Sequence, residues 1–341
     1  MKVRAKAPLR LGIAGGGTDV SPFSDIHGGA VLNCTINLYA HVFLESIEGN
    51  RVEFLAKDLG KYDFIQIGKK KSNNDDNLIL HKAVYNAVIN KFNNGNHIPV
   101  KLITFCDAPP GSGLGSSSAL VVCMLEAFKE LLSLPLGEYD IAKLAYQIER
   151  IDCELAGGKQ DQYAAVFGGF NFIEFGSNDL VVVNPLRIRR HIINELQAST
   201  ILFYTGASRE SSQIIEDQVS HIKSGGKPLE AMHKIKESAY LLKASLLKGS
   251  ILELAHGLKA SWEAKKATSD AISNDQIINL EKRIMSAGAI SMKISGAGGG
   301  GFMMILTLPE LKHNIIDSLK NQKGKVINFE FTSGGVSTWT I

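Results

Sequence analysis

At 341 residues and 45% hydrophobic content, the chain is long enough to bury a sizeable core and to divide into two domains. A formal net charge of +3, with no basic run beyond Lys69-Lys70-Lys71, gives no electrostatic support for nucleic-acid binding. Cys34, Cys106, Cys123 and Cys153 are scattered in apolar segments without a C-x-x-C pair, which argues against zinc or redox chemistry and for a reducing cytoplasm. The start, Met1 to Pro8, carries no apolar signal core and no run approaches a membrane span, so no membrane partner is expected.

In chain order, residues 2–14 read as a strand ending in Ala14-Gly-Gly-Gly-Thr-Asp19. From Ala30 to Leu44 the residues alternate. Leu32, Cys34, Ile36, Leu38, Ala40, Val42 and Leu44 share one face; Asn33, Thr35, Asn37, Tyr39 and His41 share the other. Small-molecule contact from that polar face is expected only near Asn33 and Thr35. Strands over 52–56 and 62–67 continue the sheet, and a helix follows with Leu80, Ala83, Val84, Ala87 and Val88 on one stripe. A strand over 100–105, the stretch 109–119 and an apolar helix come next.

Residues 139–155 read as one amphipathic helix, with Glu149 near its apolar boundary and Gly157-Gly158 ending it. Lys159 to Tyr163 opens a short helix, and 169–175 with 180–183 form a hairpin. The second half has a strand over 200–204, then helices over 211–223, 228–248, 251–267 and 275–287. Strands over 291–294 and 302–307 flank Ser295-Gly-Ala-Gly-Gly-Gly-Gly301, and one more helix and strand finish the chain. The expected class is α+β in both parts, as domains 1–190 and 191–341.

The stretch Pro109-Pro-Gly-Ser-Gly-Leu-Gly-Ser-Ser-Ser-Ala119 is the strongest local signal. Its alternating glycines let backbone approach a ligand closely, and the helix start beyond presents unpaired N–H groups and a partial positive charge to an anion. No G-x-x-x-x-G-K-[ST] occurs, and G-x-G-L-G lacks the dinucleotide spacing. Phosphoryl transfer also needs oxygens for Mg²⁺, a permanent positive charge and a group to position the acceptor hydroxyl. Ser117 and Glu149 suit the metal, provided their helices pack together. Arg10 suits the charge, and Asp161, between a glycine pair and a helix start, suits the hydroxyl. Singly, each could be an ordinary surface or helix-end residue; only the joint pattern favours a site.

These segments resemble the three motifs of the GHMP kinases: Ala7 to Asp19 the substrate motif, Pro110 to Ala119 the ATP motif, and Lys293 to Phe302 the late glycine motif. The resemblance implies an N-terminal domain like domain 2 of ribosomal protein S5 and a ferredoxin-like C-terminal domain. It implies ATP along Pro110, Gly111, Ser112, Gly113, Leu114, Gly115, Ser116, Ser117 and Ser118, with Mg²⁺ on Ser117 and Glu149. Arg10 and Asp161 take the catalytic places, and the late glycine motif packs against the phosphate loop.

Where galactokinases carry Gly-Glu-His-Thr-Asp, this chain has Gly15 to Asp19, which opens room for a bulkier or phosphorylated sugar. The segments 14–19, 28–33, 157–162 and 204–209 are similar to the D-glycero-D-manno-heptose 7-phosphate kinases of that family. The resemblance implies phosphorylation of the anomeric hydroxyl to the 1,7-bisphosphate, on the route to GDP-heptose and surface polysaccharide. The expected sugar-phosphate contacts are Gly16, Gly17, Thr18, Asp19, Asn33, Lys159, Ser208, Arg209 and Gly298, with Lys159, Ser208 and Arg209 on the sugar's phosphate. Fucokinase-like and galactokinase-like activity, a decarboxylase, and a non-catalytic sugar sensor are the alternatives. Nothing in the chain sets an oligomeric state, and a homodimer stays open.

Overall fold

The computed structural model describes residues 1–68, 77–206 and 211–341. The element order is β1 (Lys2–Ala14), α1 (Phe23–His27), β2 (Gly29–Ser46), β3 (Arg51–Ala56), β4 (Lys61–Gln66), α2 (Ile79–Phe92), β5 (Val100–Cys106), α3 (Ser116–Leu132), α4 (Glu138–Tyr146), α5 (Gln160–Phe167), β6 (Phe170–Phe175), β7 (Val181–Pro185), α6 (Arg190–Ser199), β8 (Thr200–Tyr204), α7 (Ser211–Lys223), α8 (Gly226–Lys248), α9 (Ile251–Lys266), α10 (Asp275–Ser286), β9 (Ala289–Ile294), β10 (Phe302–Thr307), α11 (Lys312–Leu319), β11 (Lys325–Ile327) and β12 (Ser337–Thr340).

Two sheets carry the fold. The first runs β12-β1-β2-β5-β3-β4, with β6 and β7 added along the first half of β2; the second is an antiparallel sheet in the order β11-β8-β10-β9. The long strand β2 explains its own burial. Residues 29–36 lie between β1 and β6 and are buried on both faces, whereas 37–46, between β1 and β5, alternate buried and open positions. On the open side Tyr39, His41 and Phe43 form a ring ladder with Phe105. Helix α3 is apolar all round because it is covered all round: it packs on β1 and β2 and against α2, α4 and α5. A buried all-apolar helix of this kind gives the phosphate loop a rigid platform.

The structure departs from the pattern in four places. Residues 139–155 are not one helix: α4 ends at Tyr146, residues 147–152 form a π-helical turn, and Leu155 lies beyond it with its N–H on the Glu149 carbonyl at 3.2 Å. The glycine pair 157–158 therefore follows coil rather than capping a helix. On α2 the fully buried stripe includes His81 and Tyr85, while Leu80, Ala83 and Ala87 sit half-buried at its flank. Helix α6 was not indicated by the pattern. Finally, the tail leaves the second sheet: β12 pairs with β1, with Val3 opposite Thr340, so a division by chain at residue 190 and a division by sheet differ there. Among the described residues no helix is long and apolar enough to cross a membrane.

Candidate active site

Three backbone turns converge at the end of β1. The phosphate loop, 107–115, links β5 to α3. A Cβ at Gly113 (φ 81°) would stand 2.1 Å from the Ser295 carbonyl oxygen, and one at Gly115 (φ 73°) 3.0 Å from the Asp161 carboxyl carbon. Only glycine tolerates both the left-handed backbone and that contact. Two backbone bonds lock this loop further, one from the end of the late glycine loop and one from β1: the Phe302 N–H donates to the Ser112 carbonyl (3.0 Å) and the Arg10 N–H to the Leu114 carbonyl (3.0 Å). Leu114 is buried as an anchor, the Ser112 hydroxyl is buried without a partner, and Pro110 and Gly111 remain at the surface. Beyond Gly115, the first N–H groups of α3 at Ser116, Ser117 and Ser118 lack helical acceptors, and Ser116 and Ser117 line the cleft.

Arg10 and Asp161 meet at the floor of this cleft. Arg10 Nε lies 2.7 Å from Asp161 Oδ1, while Nη1 donates to the Gly113 carbonyl (2.6 Å) and to Ser295 Oγ (3.2 Å). The guanidinium is almost wholly buried and the carboxylate keeps an open edge, with side chains 5% and 18% exposed. A charge-assisted bond with this geometry fixes both groups.

Glu149 is fully buried, and every oxygen is used. Oε1 accepts from Ser117 Oγ (2.6 Å), and Oε2 accepts from Ser118 Oγ (2.6 Å) and Gln162 Nε2 (2.7 Å). Its neighbour Arg150, carried on the same π-helical turn, reaches Ser118 Oγ (3.2 Å) and stands 3.4 Å from Glu149 Oε1. No group of three or more His, Cys, Asp or Glu side chains forms among the described residues. Ser117 is exposed to the cleft directly above Glu149, and a hydroxyl–carboxylate pair is a hard-oxygen donor set of the kind Mg²⁺ takes beside phosphate and water.

On the sugar side, Asp19 is buried and held in place. Its Oδ1 accepts from the Gly17 N–H and Gln160 Nε2, and its Oδ2 from the Gln160 N–H, all at 3.0 Å. Gly17, Asp19, Gly111, Gly113, Gly115, Ser116, Ser117 and Asp161 line one cleft, and Gly16 lines a recess adjoining it. Four expected contacts lie elsewhere. Thr18 Oγ1 donates to the Gly15 carbonyl (2.7 Å) and accepts from the Ala30 N–H (3.0 Å), so it staples the turn to β2. Asn33 is buried opposite Gly12 and Asn171 in the sheet, with neither amide atom partnered. Lys159 points out of the cleft, to Asp25 (3.2 Å) and Asp179 (3.5 Å). Gly298 packs on Ile272, a Cβ there standing 2.9 Å from its carbonyl oxygen. Ser208 and Arg209 lie outside the described residues, as do Lys69 to Lys71. The sequence pattern, for its part, missed Arg150, Gln160, Gln162, Gln218, Lys265, Lys293 and Ser295.

With this geometry in view, comparison with known proteins is decisive. Residues 77–169 match the GHMP kinases N terminal domain and residues 242–325 the GHMP kinases C terminal. The chain is 45% identical over 99% of its length, and 99% of the relative's, to D-glycero-alpha-D-manno-heptose 7-phosphate kinase of Campylobacter jejuni. The chain belongs to the GHMP kinases. A crystal structure named as a D-glycero-D-manno-heptose 1-phosphate kinase from Bacteroides thetaiotaomicron superposes with TM-score 0.84 at 44% identity, covering 99% of both chains. L-fucokinase/L-fucose-1-P guanylyltransferase of Bacteroides fragilis is 26% identical, matched over 89% of this chain and 34% of its own. As a GHMP kinase the protein is an ATP-using phosphotransferase, and its α+β architecture is the family's fold. The two heptose kinases are named for different heptose phosphates.

Proposed function

We propose that the protein transfers the γ-phosphoryl group of ATP to the anomeric hydroxyl of D-glycero-D-manno-heptose 7-phosphate, giving the 1,7-bisphosphate that feeds GDP-heptose and surface-polysaccharide synthesis. The observation that carries this reading is the Arg10–Asp161 pair, set between the phosphate loop and the Gly15–Asp19 turn. The 45% identity to a heptose 7-phosphate kinase supports the substrate.

The triphosphate lies over the backbone from Gly111 to Ser118, held by N–H groups at the start of α3. Ser117 and Glu149 would hold Mg²⁺, which supplies charge neutralisation when bound. Asp19, rigid because three donors hold it, accepts a ring hydroxyl, and the backbone N–H groups of Gly16 and Gly17 border the same sugar. Asp161 accepts the hydrogen bond of the anomeric hydroxyl and, as that oxygen bonds to the γ-phosphorus, its proton. The bridging P–O bond breaks and ADP leaves. Arg10 holds Asp161 in place and offers its fixed charge to the transferring group.

The test is ADP release with Mg·ATP against the heptose 7-phosphate, the heptose 1-phosphate, free heptose, L-fucose and galactose, with phosphorus NMR of the product. Turnover on the 7-phosphate with a new anomeric phosphorus signal is expected. Turnover confined to L-fucose or galactose would replace the substrate, and ATP binding without ADP release on any sugar would point to a sensor.

A further inference from the structure

Beside the Gly15–Asp19 turn the cleft adjoins a recess bordered by Arg10, Gly16, Gln160, Lys265 and Lys293. No acidic side chain lines it. Lys265, 9% exposed, donates from Nζ to the Gly16 carbonyl (3.0 Å) and to Gln218 Oε1 (3.4 Å); Lys293 donates to the Ile13 carbonyl (3.2 Å). Neither ammonium has an ion-pair partner among the described residues. Burial disfavours a charged amine and brings Lys265 down to about 8, against the pull of Asp19 and with Arg10 adding repulsion, and Lys293 to about 7, with Lys265 and Arg10 adding theirs.

Two further features face the same spot. Gln160 Oε1, an acceptor, is buried without a donor while its amide nitrogen is engaged with Asp19, so it offers a place for a sugar hydroxyl beside the phosphate and not for the phosphate itself. At Gly17 a Cβ would stand 3.0 Å from Lys265 Nζ, so the glycines of the turn leave the ammonium open to the sugar. The recess itself has room for about 20 Å³, one water-sized group, against about 130 Å³ in the cleft, and Lys265 borders both. A phosphate therefore fits on the cleft side of Lys265, with Lys293 behind it.

We propose that Lys265, backed by the field of Lys293, receives the phosphate that the sugar already carries, and so makes this a sugar-phosphate site rather than a free-sugar site. This rests on the kinase reading above for its substrate. It replaces Lys159, which is committed to Asp25 and Asp179, in that role.

The experiment compares wild-type protein with K265M, K265R and K293M. Loss of one charge-assisted contact to phosphate predicts a KM for heptose 7-phosphate raised about 10- to 100-fold in K265M, partly restored in K265R. The ratio of kcat/KM on heptose 7-phosphate to that on free heptose should fall by a similar factor, with KM for ATP little changed. If Lys265 merely braces the Gly16 carbonyl, K265M lowers activity on free and phosphorylated heptose alike, which overturns the proposal. Inorganic phosphate titrated by calorimetry in the absence of any sugar gives an independent reading should heptose 7-phosphate prove not to be the substrate. Binding to wild type that K265M loses supports the site; no binding, or equal binding by both, overturns it.

Discussion

The Glu149 end and the Lys265 end of the cleft are finished differently. Around Glu149 every polar atom of the carboxylate is met within the protein, by Ser117, Ser118 and Gln162. Around Lys265 and Lys293 two ammonium groups are met only by neutral oxygens, and Gln160 Oε1, itself an acceptor, lacks a donor of the kind a sugar hydroxyl supplies. A satisfied network holds its shape without ligand; an unsatisfied one is stable only because its charge is partly suppressed, and gains most when an anion arrives. On the proposed reading, the first end positions the nucleotide and the second selects the sugar.

The largest effect should come from the residue between the two ends. Asp161→Asn keeps the shape but weakens the acceptor, and kcat should fall by roughly 10² to 10⁴ with melting temperature little changed; near-normal turnover would remove Asp161 from the chemistry. Glu149→Ala tests the finished end. It strands two buried donors, on Ser118 and Gln162, and a neighbouring Arg150, so stability should drop by about 3 kcal/mol, read by denaturant unfolding. A variant as stable as wild type would mean the network is ornamental.

The unfinished end should answer to pH. Lys265 faces Arg10 and Asp19, and Lys293 faces Arg10 and Lys265, and both lysines are depressed in the folded state. The unfolded chain therefore binds more protons between about pH 7 and the ordinary lysine value near 10.4, and stability without ligand should rise with pH across that window. Phosphate affinity should run the other way, weakening as pH climbs past about 8, and binding at pH 8 should draw protons from the buffer. Calorimetry in two buffers of different ionisation heat reads this uptake; none would mean the lysines are not at the phosphate. The smallest effect is expected from Lys159→Met, which breaks contacts outside the cleft: KM for the sugar phosphate should stay within about twofold. A large rise would restore Lys159 to the sugar site.

Much of the catalytic floor was legible because its residues sit inside short signals. Asp161 and Ser117 stand at helix starts beside glycines, Arg10 lies on the strand that runs into the Gly15–Gly17 turn, Glu149 marks the boundary of an apolar helical stripe, and the structure brings the four together as two pairs. Lys265 and Lys293 were not legible. One ends a helix in Lys265-Lys266, which reads as a solvated terminus, and the other precedes the late glycine loop; their meeting with Gly16 and Ile13 spans about 250 residues or more and leaves no local trace. Arg150 was hidden by the π-helical turn, whose spacing no 3.6-residue pattern reveals. Helix α6 begins with Arg190-His191 and buries only Ile192, Leu196 and Ser199, too few apolar positions to stand out. Strand β12 has four residues, and only the open edge of β1 gives it a place.

The contact between the two glycine loops has a consequence for biosynthesis. Residues 110–119 contain the whole ATP-type motif, yet the Ser112 carbonyl is held by Phe302 and Gly113 lies against Ser295. During translation the motif emerges some 180 residues before the segment that shapes it. A nascent chain can have its first sheet and α3 in place and still lack a formed phosphate cradle until β9 and β10 dock, so the ability to spend ATP arrives only late in synthesis.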